Sequence, residues 1–222
     1  MSARIILLRH GQTFSNVERA LDTRPPGAEL TERGRAQAAD VGAELAGLLC
    51  AGDGELGSVE RIVCSVALRA QQTALLAARA FEKAADAPRY SLPIDVTAGI
   101  HEISVGSYEM DTSEEAYRAY TTALRGWLDG DDNARIIGGE NHRDLLTRYQ
   151  PVLEDIAATQ GEKDVIVVSH GAAIRVVARH AAALDPDFAF TGYLANCRFI
   201  VLEPRGKRFG EWTITRWADT AL

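Results

Sequence analysis

The sequence predicts an α/β fold: a three-layer α/β/α sandwich with a mainly parallel central sheet and a small helical cap insertion. Three observations carry that expectation. Short apolar runs without alternation occur at Ile5–Leu8, Arg61–Ser65 and Asp164–Ser169, as strands buried on both faces require. Stretches with apolar residues at three- and four-residue spacing separate them, the alternation of an α/β chain. The 222 residues are 46% hydrophobic and 25% charged, enough for one sizeable core. A single domain spanning 1–222 is expected, with the cap around 98–138.

In order, Ile5–Leu8 is the first strand and Arg9-His10-Gly11 its turn. Val17–Leu30 reads as a polar connection, because Thr23-Arg24-Pro25-Pro26-Gly27 continues neither helix nor strand. Thr31 is the expected N-cap of a helix whose stripe is Ala38, Val41, Leu45, Leu48 and Leu49. The glycine- and acid-rich Ala51–Ser58 ends it. The strand Arg61–Ser65 leads into an alanine-rich helix, Ala67–Lys83, with Arg69, Gln72 and Thr73 in its first turns. Pro88–Thr97 is loop with a short extended piece, and Gly99–Met110 has no helical period. Ser113–Leu128 is a polar helix whose Tyr117, Tyr120 and Trp127 stripe reads as core of the cap. A further helix is expected from Gly138-Gly139, then the strand Asp164–Ser169 and a helix from Ala172 to about Leu184. Cys197–Leu202 and Glu211–Trp217 read as an antiparallel pair at the sheet edge, where a second copy of the chain is a candidate partner.

The formal charge of −7 argues against nucleic acid as a partner, which calls for clustered Lys and Arg. No apolar stretch is long enough to span a membrane. The three cysteines, Cys50, Cys64 and Cys197, lack CxxC spacing, which fits a reducing, cytoplasmic setting.

Chemistry concentrates at strand ends. Leu8-Arg9-His10-Gly11 and Val168-Ser169-His170-Gly171 each close a buried strand with His-Gly, and Arg69 lies one helical turn beyond Ser65. If the three strands are parallel neighbours, Arg9, His10, Arg69 and His170 meet beyond their carboxyl ends, where open α/β sheets bind ligands. Arginine forks match phosphate oxygens, and the helix beginning near Gly171 adds backbone N–H groups and the positive end of its dipole. No metal-ligand motif and no GxxxxGK[ST] phosphate loop is present, so no metal or cofactor is expected. An imidazole at the centre of such a site suits nucleophilic catalysis by His10. The departing alkoxide then needs a proton, for which Glu102 is the first candidate and Glu109 the second. Ordinary polar residues at strand ends are the alternative reading of the same positions.

At these residues the chain resembles the histidine phosphatase superfamily, the phosphoglycerate mutase-like proteins. The opening L-x-R-H-G-[QE]-[ST]-x-x-N is matched by Leu7–Asn16, and L-T-x-x-G-x-x-Q-A by Leu30–Ala38. S-x-x-x-R-A-x-Q-T-A is matched by Ser65–Ala74, and E-x-x-x-G-x-[WYF]-E by Glu102, Gly106, Tyr108 and Glu109. Gly138-Gly139-Glu140-Asn141 stands for G-G-E-[ST], and Val168–Gly171 for V-S-H-G. The resemblance implies His10 as phosphohistidine nucleophile and Glu102 as proton donor, later the base for water. It implies Arg9, Arg69 and His170 as phosphate ligands, with Asn16 assisting and Thr23 and Gly171 lining the pocket. His101, His142 and His180 receive no catalytic role. Arg24 and Arg135 are the arginines in reach of a second anionic group, although loop arginines are usually solvated.

Met110, Phe14-Ser15 and Asn141 depart from the family pattern and touch the outer wall of the pocket. The expected activity is metal-independent hydrolysis of a small phosphomonoester, with optimum on the acid side unless burial tunes the groups. A cofactor-dependent phosphoglycerate mutase and a non-catalytic phosphate-binding module are the alternatives. Ile103-Ser104-Val105-Gly106 after the acid, in place of the mutase-like R-H-Y-G, favours the hydrolase.

Overall fold

The computed structural model describes residues 3–50 and 56–222. Residues 51–55 of the expected helix-ending stretch Ala51–Ser58 lie outside them. The run Ile5–Arg9 forms β1, and its side chains alternate between two cores as a strand's period of two demands. Ile5 and Leu7 enter one core, Ile6 and Leu8 the other. This is why the strand is apolar at every position.

The remaining strands are β2 (Val59–Ser65), β3 (Ile94–Thr97), β4 (Asp164–Ser169), β5 (Phe199–Glu203), β6 (Thr213–Trp217) and β7 (Thr220–Ala221). They form one sheet in the order β3-β2-β4-β1-β5-β6-β7. β2 is parallel to β3 and β4, and β4 to β1, while the β1–β5, β5–β6 and β6–β7 pairs are antiparallel. The expected three-layer architecture is present, with one correction. The predicted antiparallel pair forms, but β5 lies beside β1 inside the sheet, and the edges belong to β3 and β7. β5 is fully apolar over Phe199–Leu202 and buried, which suits an interior strand.

One layer consists of α2 (Glu32–Leu49) and α3 (Leu68–Ala84), packed on each other and on the second core. Thr31 caps α2 as expected, accepting from the Gly34 N–H at 3.0 Å. The other layer holds α4 (Glu114–Asp129), α5 (His142–Thr159) and α6 (Gly171–Ala181). The helix expected from Gly138-Gly139 begins at His142 instead, because Asn141 and Asp144 form a capping box there. Two short helices were not anticipated: α1 (Phe14–Glu18), capped by Thr13, and α7 (Pro186–Thr191), with proline in its first turn. The segment expected as a cap supplies a 3₁₀ turn at Gly106–Tyr108 and α4. Helix α4 packs against α6 and α7, and its Leu124, Trp127 and Leu128 enter the first core.

Candidate active site

Register decides which chain ends meet. Arg9 pairs with Ser169, Leu8 with Val168, and Cys64 with Val168. The turns after β1, β4 and β2 therefore open at one level, and His10 and His170 leave adjacent strands side by side. Their ring centroids are 5.2 Å apart. A small cavity of about 90 Å³ sits here, lined by Arg9, His10, Asn16, Thr23, Arg69 and Glu102 among others.

The motif residues around the histidine turn act as clamps on its backbone. The Gly11 N–H donates to Thr73 Oγ1 at 3.0 Å, the Gln12 N–H to Gln37 Oε1 at 2.9 Å, and the Leu30 N–H to Gln72 Oε1 at 2.8 Å. Two glycines let the backbones approach. A Cβ on Gly34 would lie 2.0 Å from the Gln12 carbonyl oxygen, and one on Gly11 would lie 2.5 Å from that of Gly34. No side chain fits between the first turn of α2 and the loop carrying His10.

The two histidines hold opposite tautomers. The Gly11 carbonyl lies 2.7 Å from His10 Nδ1, and a carbonyl only accepts, so Nδ1 carries the proton and Nε2 keeps its lone pair. Arg69 Nε donates to His170 Nδ1 at 3.2 Å, leaving His170 Nε2 to donate to Ser65 Oγ at 2.9 Å. Burial, then the nearby Arg69, holds both rings well below the usual histidine range. Both imidazoles are neutral at physiological pH. His170 is fully buried with both nitrogens engaged, so in this geometry it supports Arg69 from behind.

Arg69 is buried, and it reaches forward to the Asp22 carbonyl at 3.1 Å and Asp22 Oδ1 at 3.4 Å. Arg9 donates through Nη1 to the Leu194 carbonyl at 2.7 Å and to the Tyr193 hydroxyl at 3.0 Å. Its buried Nε has no acceptor among the described residues. Gly171 does not line the cavity. It leaves room for Arg9, whose Nε would lie 3.1 Å from a Cβ there. Asn16 Oδ1 accepts from the Thr13 N–H at 3.2 Å and from Asn196 Nδ2 at 3.1 Å. Asn196 also donates to the His10 carbonyl at 3.0 Å.

The two candidate acids separate. Glu102 lines the cavity, and its carboxylate accepts from the Ala172 and Ala173 N–H groups at 3.1 and 2.8 Å. This is the favoured end of α6 for an anion. The segment bearing it is held from behind by Arg148, which donates to the carbonyls of Gly99, His101 and Glu102 while paired with Glu140. Glu140 in turn accepts from the Ser104 N–H at 2.9 Å. Glu109 points elsewhere: it accepts from the Thr23 N–H, the Thr23 hydroxyl and the Arg24 N–H. It latches the loop that brings Thr23 to the cavity. Glu109→Ala is expected to raise KM for a phosphate ester about tenfold with a smaller change in kcat, since the half-buried carboxylate that holds Thr23 is lost while the chemistry stays. Michaelis curves for the variant check this.

Sequence reasoning missed several cavity residues. Tyr117 and Tyr120 pack against the first core, as the stripe predicts, and also line the cavity beside Leu21 and Asp22; only Trp127 of that stripe is fully buried. Helical spacing places the three on one face but cannot say where the core ends. Asp22 in the cavity and Tyr193 and Asn196 beside Arg9 and Asn16 carried no spacing signal at all. Arg24 is exposed, and Arg135 is paired with Asp144 at 2.7 Å.

His142 and His180, given no catalytic role, are stacked with centroids 5.2 Å apart. Burial lowers the pKa of both, that of His180 to about 4, and also lowers that of His101. Unfolded, each histidine titrates near 6.5, so below about pH 6.5 the unfolded chain binds protons that the folded chain refuses. Stability is full above that pH and falls on acidification, by about 1.4 kcal/mol per pH unit for each fully buried histidine that stays neutral. The urea midpoint is expected to drop clearly between about pH 7 and pH 5; a flat midpoint would mean that burial does not hold these rings neutral.

The sequence model of the histidine phosphatase superfamily (branch 1) matches residues 5–220. The probable phosphoglycerate mutase GpmB of Erwinia tasmaniensis is 26% identical over 199 residues, covering 87% of this chain and 81% of that protein. A bifunctional protein of Mycobacterium tuberculosis is 34% identical over 179 residues, which is 80% of this chain but only 44% of that protein. The native structure of a mycobacterial glucosyl-3-phosphoglycerate phosphatase superposes with a TM-score of 0.75 at 23% identity, covering 99% of this chain and 100% of the other. The strand order, the paired His-Gly turns and the near-complete match place this chain in the histidine phosphatase superfamily, branch 1.

Proposed function

We propose that this chain is a metal-independent phosphatase acting on a small phosphomonoester through a phosphohistidine on His10. The observation that carries this reading is the geometry of His10: Nδ1 is tied to the Gly11 carbonyl, which leaves Nε2 unprotonated on the neutral ring, and Arg9 and Arg69 line the same cavity. In the first step Nε2 attacks phosphorus, the ester P–O bond breaks, and the Glu102 carboxyl gives its proton to the departing alkoxide. In the second, the Glu102 carboxylate takes a proton from water, the hydroxide attacks phosphorus, and the P–N bond breaks to release phosphate and neutral His10. Arg9 and Arg69 balance the charge on the phosphoryl oxygens. The depressed histidine range extends this chemistry into mildly acidic solution, because His10 keeps its lone pair there.

The test is phosphate release from a panel of phosphomonoesters between about pH 5 and 8, with a chelator present. Chelator-resistant release by the wild type supports the phosphatase. Phosphoryl transfer between glycerate positions without release would replace it by the mutase, and binding without either would leave a phosphate-binding module.

A further inference from the structure

Arg9, His10 and Asn16 are all gripped by one segment, residues 193–197, that supplies none of the proposed chemistry. The Tyr193 hydroxyl and the Leu194 carbonyl hold the Arg9 guanidinium. The Cys197 N–H donates to the Arg9 carbonyl at 3.1 Å and to the His10 carbonyl at 3.3 Å. Asn196 reaches His10 and Asn16 at once. The segment is itself anchored. Buried Arg175 of α6 donates to the carbonyls of Ala189 and Phe190 in α7, and Trp217 Nε1 donates to the Gly192 carbonyl at 2.9 Å. Cys197 lies in the left-handed region at φ 55°, a conformation that a residue other than glycine keeps where its surroundings hold it.

The partners of Asn196 fix which way its amide faces. The His10 carbonyl at 3.0 Å and Asn16 Oδ1 at 3.1 Å both accept, so Nδ2 faces them and uses both of its hydrogens. Asn16 is equally determined. The Thr13 N–H, 3.2 Å away, only donates, so the Asn16 atom that meets it is the oxygen. Two donors therefore occupy Asn16 Oδ1. Its Nδ2, the other end of the same planar amide, is left to donate, in a residue that lines the cavity with Arg9 and His10.

We propose that Asn196 is a positioning residue for phosphoryl binding: by holding Asn16 Oδ1 it presents Asn16 Nδ2 to a phosphoryl oxygen. The phosphoryl group is that of the proposed phosphatase, and this role rests on that reading. Asn196 acts through Asn16 and does not touch the substrate. An acid of the same shape cannot replace it. Asn196→Asp sets carboxylate oxygens against the His10 carbonyl and Asn16 Oδ1, and turning the Asn16 amide over to meet them faces its Nδ2 with the Thr13 N–H and withdraws the donor from the cavity.

A double-mutant cycle tests this, with kcat and KM for phosphate release, calorimetric binding of inorganic phosphate and a urea melt for each protein. Asn196→Ala is expected to lower kcat/KM and phosphate affinity about tenfold, and Asn196→Asp at least as much. In the Asn16→Ala background, Asn196→Ala costs less than about threefold, because the His10 carbonyl keeps the Cys197 N–H and the route through Asn16 is already gone. A residue that only fills space gives the opposite pattern: Ala costs more than Asp, and the two alanine substitutions add in full. That pattern, or a loss below about threefold for both Asn196 variants, overturns the proposal. Nitrogen–proton NMR supplies a readout that a packing role would not move. The side-chain NH₂ signal of Asn16, assigned by its absence in Asn16→Ala, is expected to shift when phosphate is added to the wild type and to stay in place in Asn196→Asp. A wild-type signal that phosphate leaves unmoved overturns the proposal even where a variant fails to fold. Release that proceeds unchanged in both Asn196 variants removes the positioning role and keeps the phosphatase. Phosphate binding that depends on Asn196 in a chain that releases no phosphate does the reverse, and a wild type that neither binds nor releases phosphate overturns both.

Discussion

His10→Ala is expected to lower phosphate release by about 10³-fold or more, with the fold intact. The side chain is 4% exposed, but its Nδ1 bonds only to the adjacent Gly11 carbonyl. Removing it therefore breaks no long-range side-chain hydrogen bond. The loop stays clamped through backbone groups of Gly11 and Gln12 by Thr73 and Gln37. What disappears is the unprotonated Nε2 of His10, in the cavity that Arg9 and Arg69 also line. Phosphate-release assays of equal amounts of variant and wild type, alongside urea melts of each, separate chemistry from folding. Release within about tenfold of wild type would mean that no covalent intermediate forms on His10.

Arg69→Met is expected to cost both activity and stability. Arg69 and Asp22 are a buried pair, with side chains 3% and 6% exposed. Asp22 keeps donors from Ser15 Oγ at 2.9 Å and the Ala28 N–H at 2.8 Å, so the stability loss is about 2 kcal/mol, below the usual figure for a bare buried charge. The activity loss is larger, about 10²-fold or more in kcat/KM, because a fixed charge at the developing phosphoryl dianion is gone. Adding Asp22→Asn removes the uncompensated carboxylate and is expected to recover most of the urea midpoint while leaving turnover low. If the double variant regained activity, Arg69 would serve only to neutralise Asp22.

The contrast between these two residues mirrors how legible each was. His10, Arg9 and the strand Ile5–Leu8 are local signals: an unbroken apolar run dictates a buried strand, and the polar residues after it must turn out beyond the sheet. Arg69 in the first turn of α3 was readable for the same reason, since it follows the strongly patterned strand β2, whereas Glu102 lies in a segment without periodicity and was legible from its residue type and its place in the E-x-x-x-G-x-[WYF]-E motif. Gly34 and Gln37 formed part of a motif, but why they recur together emerged only when the α2 backbone was seen against Gln12.

The sequence by itself determined the α/β class, the strands that carry the site and the basic, histidine-centred chemistry at their ends. These follow from hydrophobic period and residue type, which are properties of contiguous segments. Tertiary structure alone decided the rest. It placed β5 inside the sheet, gave His10 and His170 opposite tautomers, tied Glu109 to the Thr23 loop while Glu102 lines the cavity, and set Tyr117 at the cavity wall as well as against the core. Each of those outcomes depends on atoms brought together from distant parts of the chain: Gly11 and Thr73, Arg69 and His170, Thr23 and Glu109. Local pattern holds no record of such distances, because register and close backbone approach are set only when the layers pack.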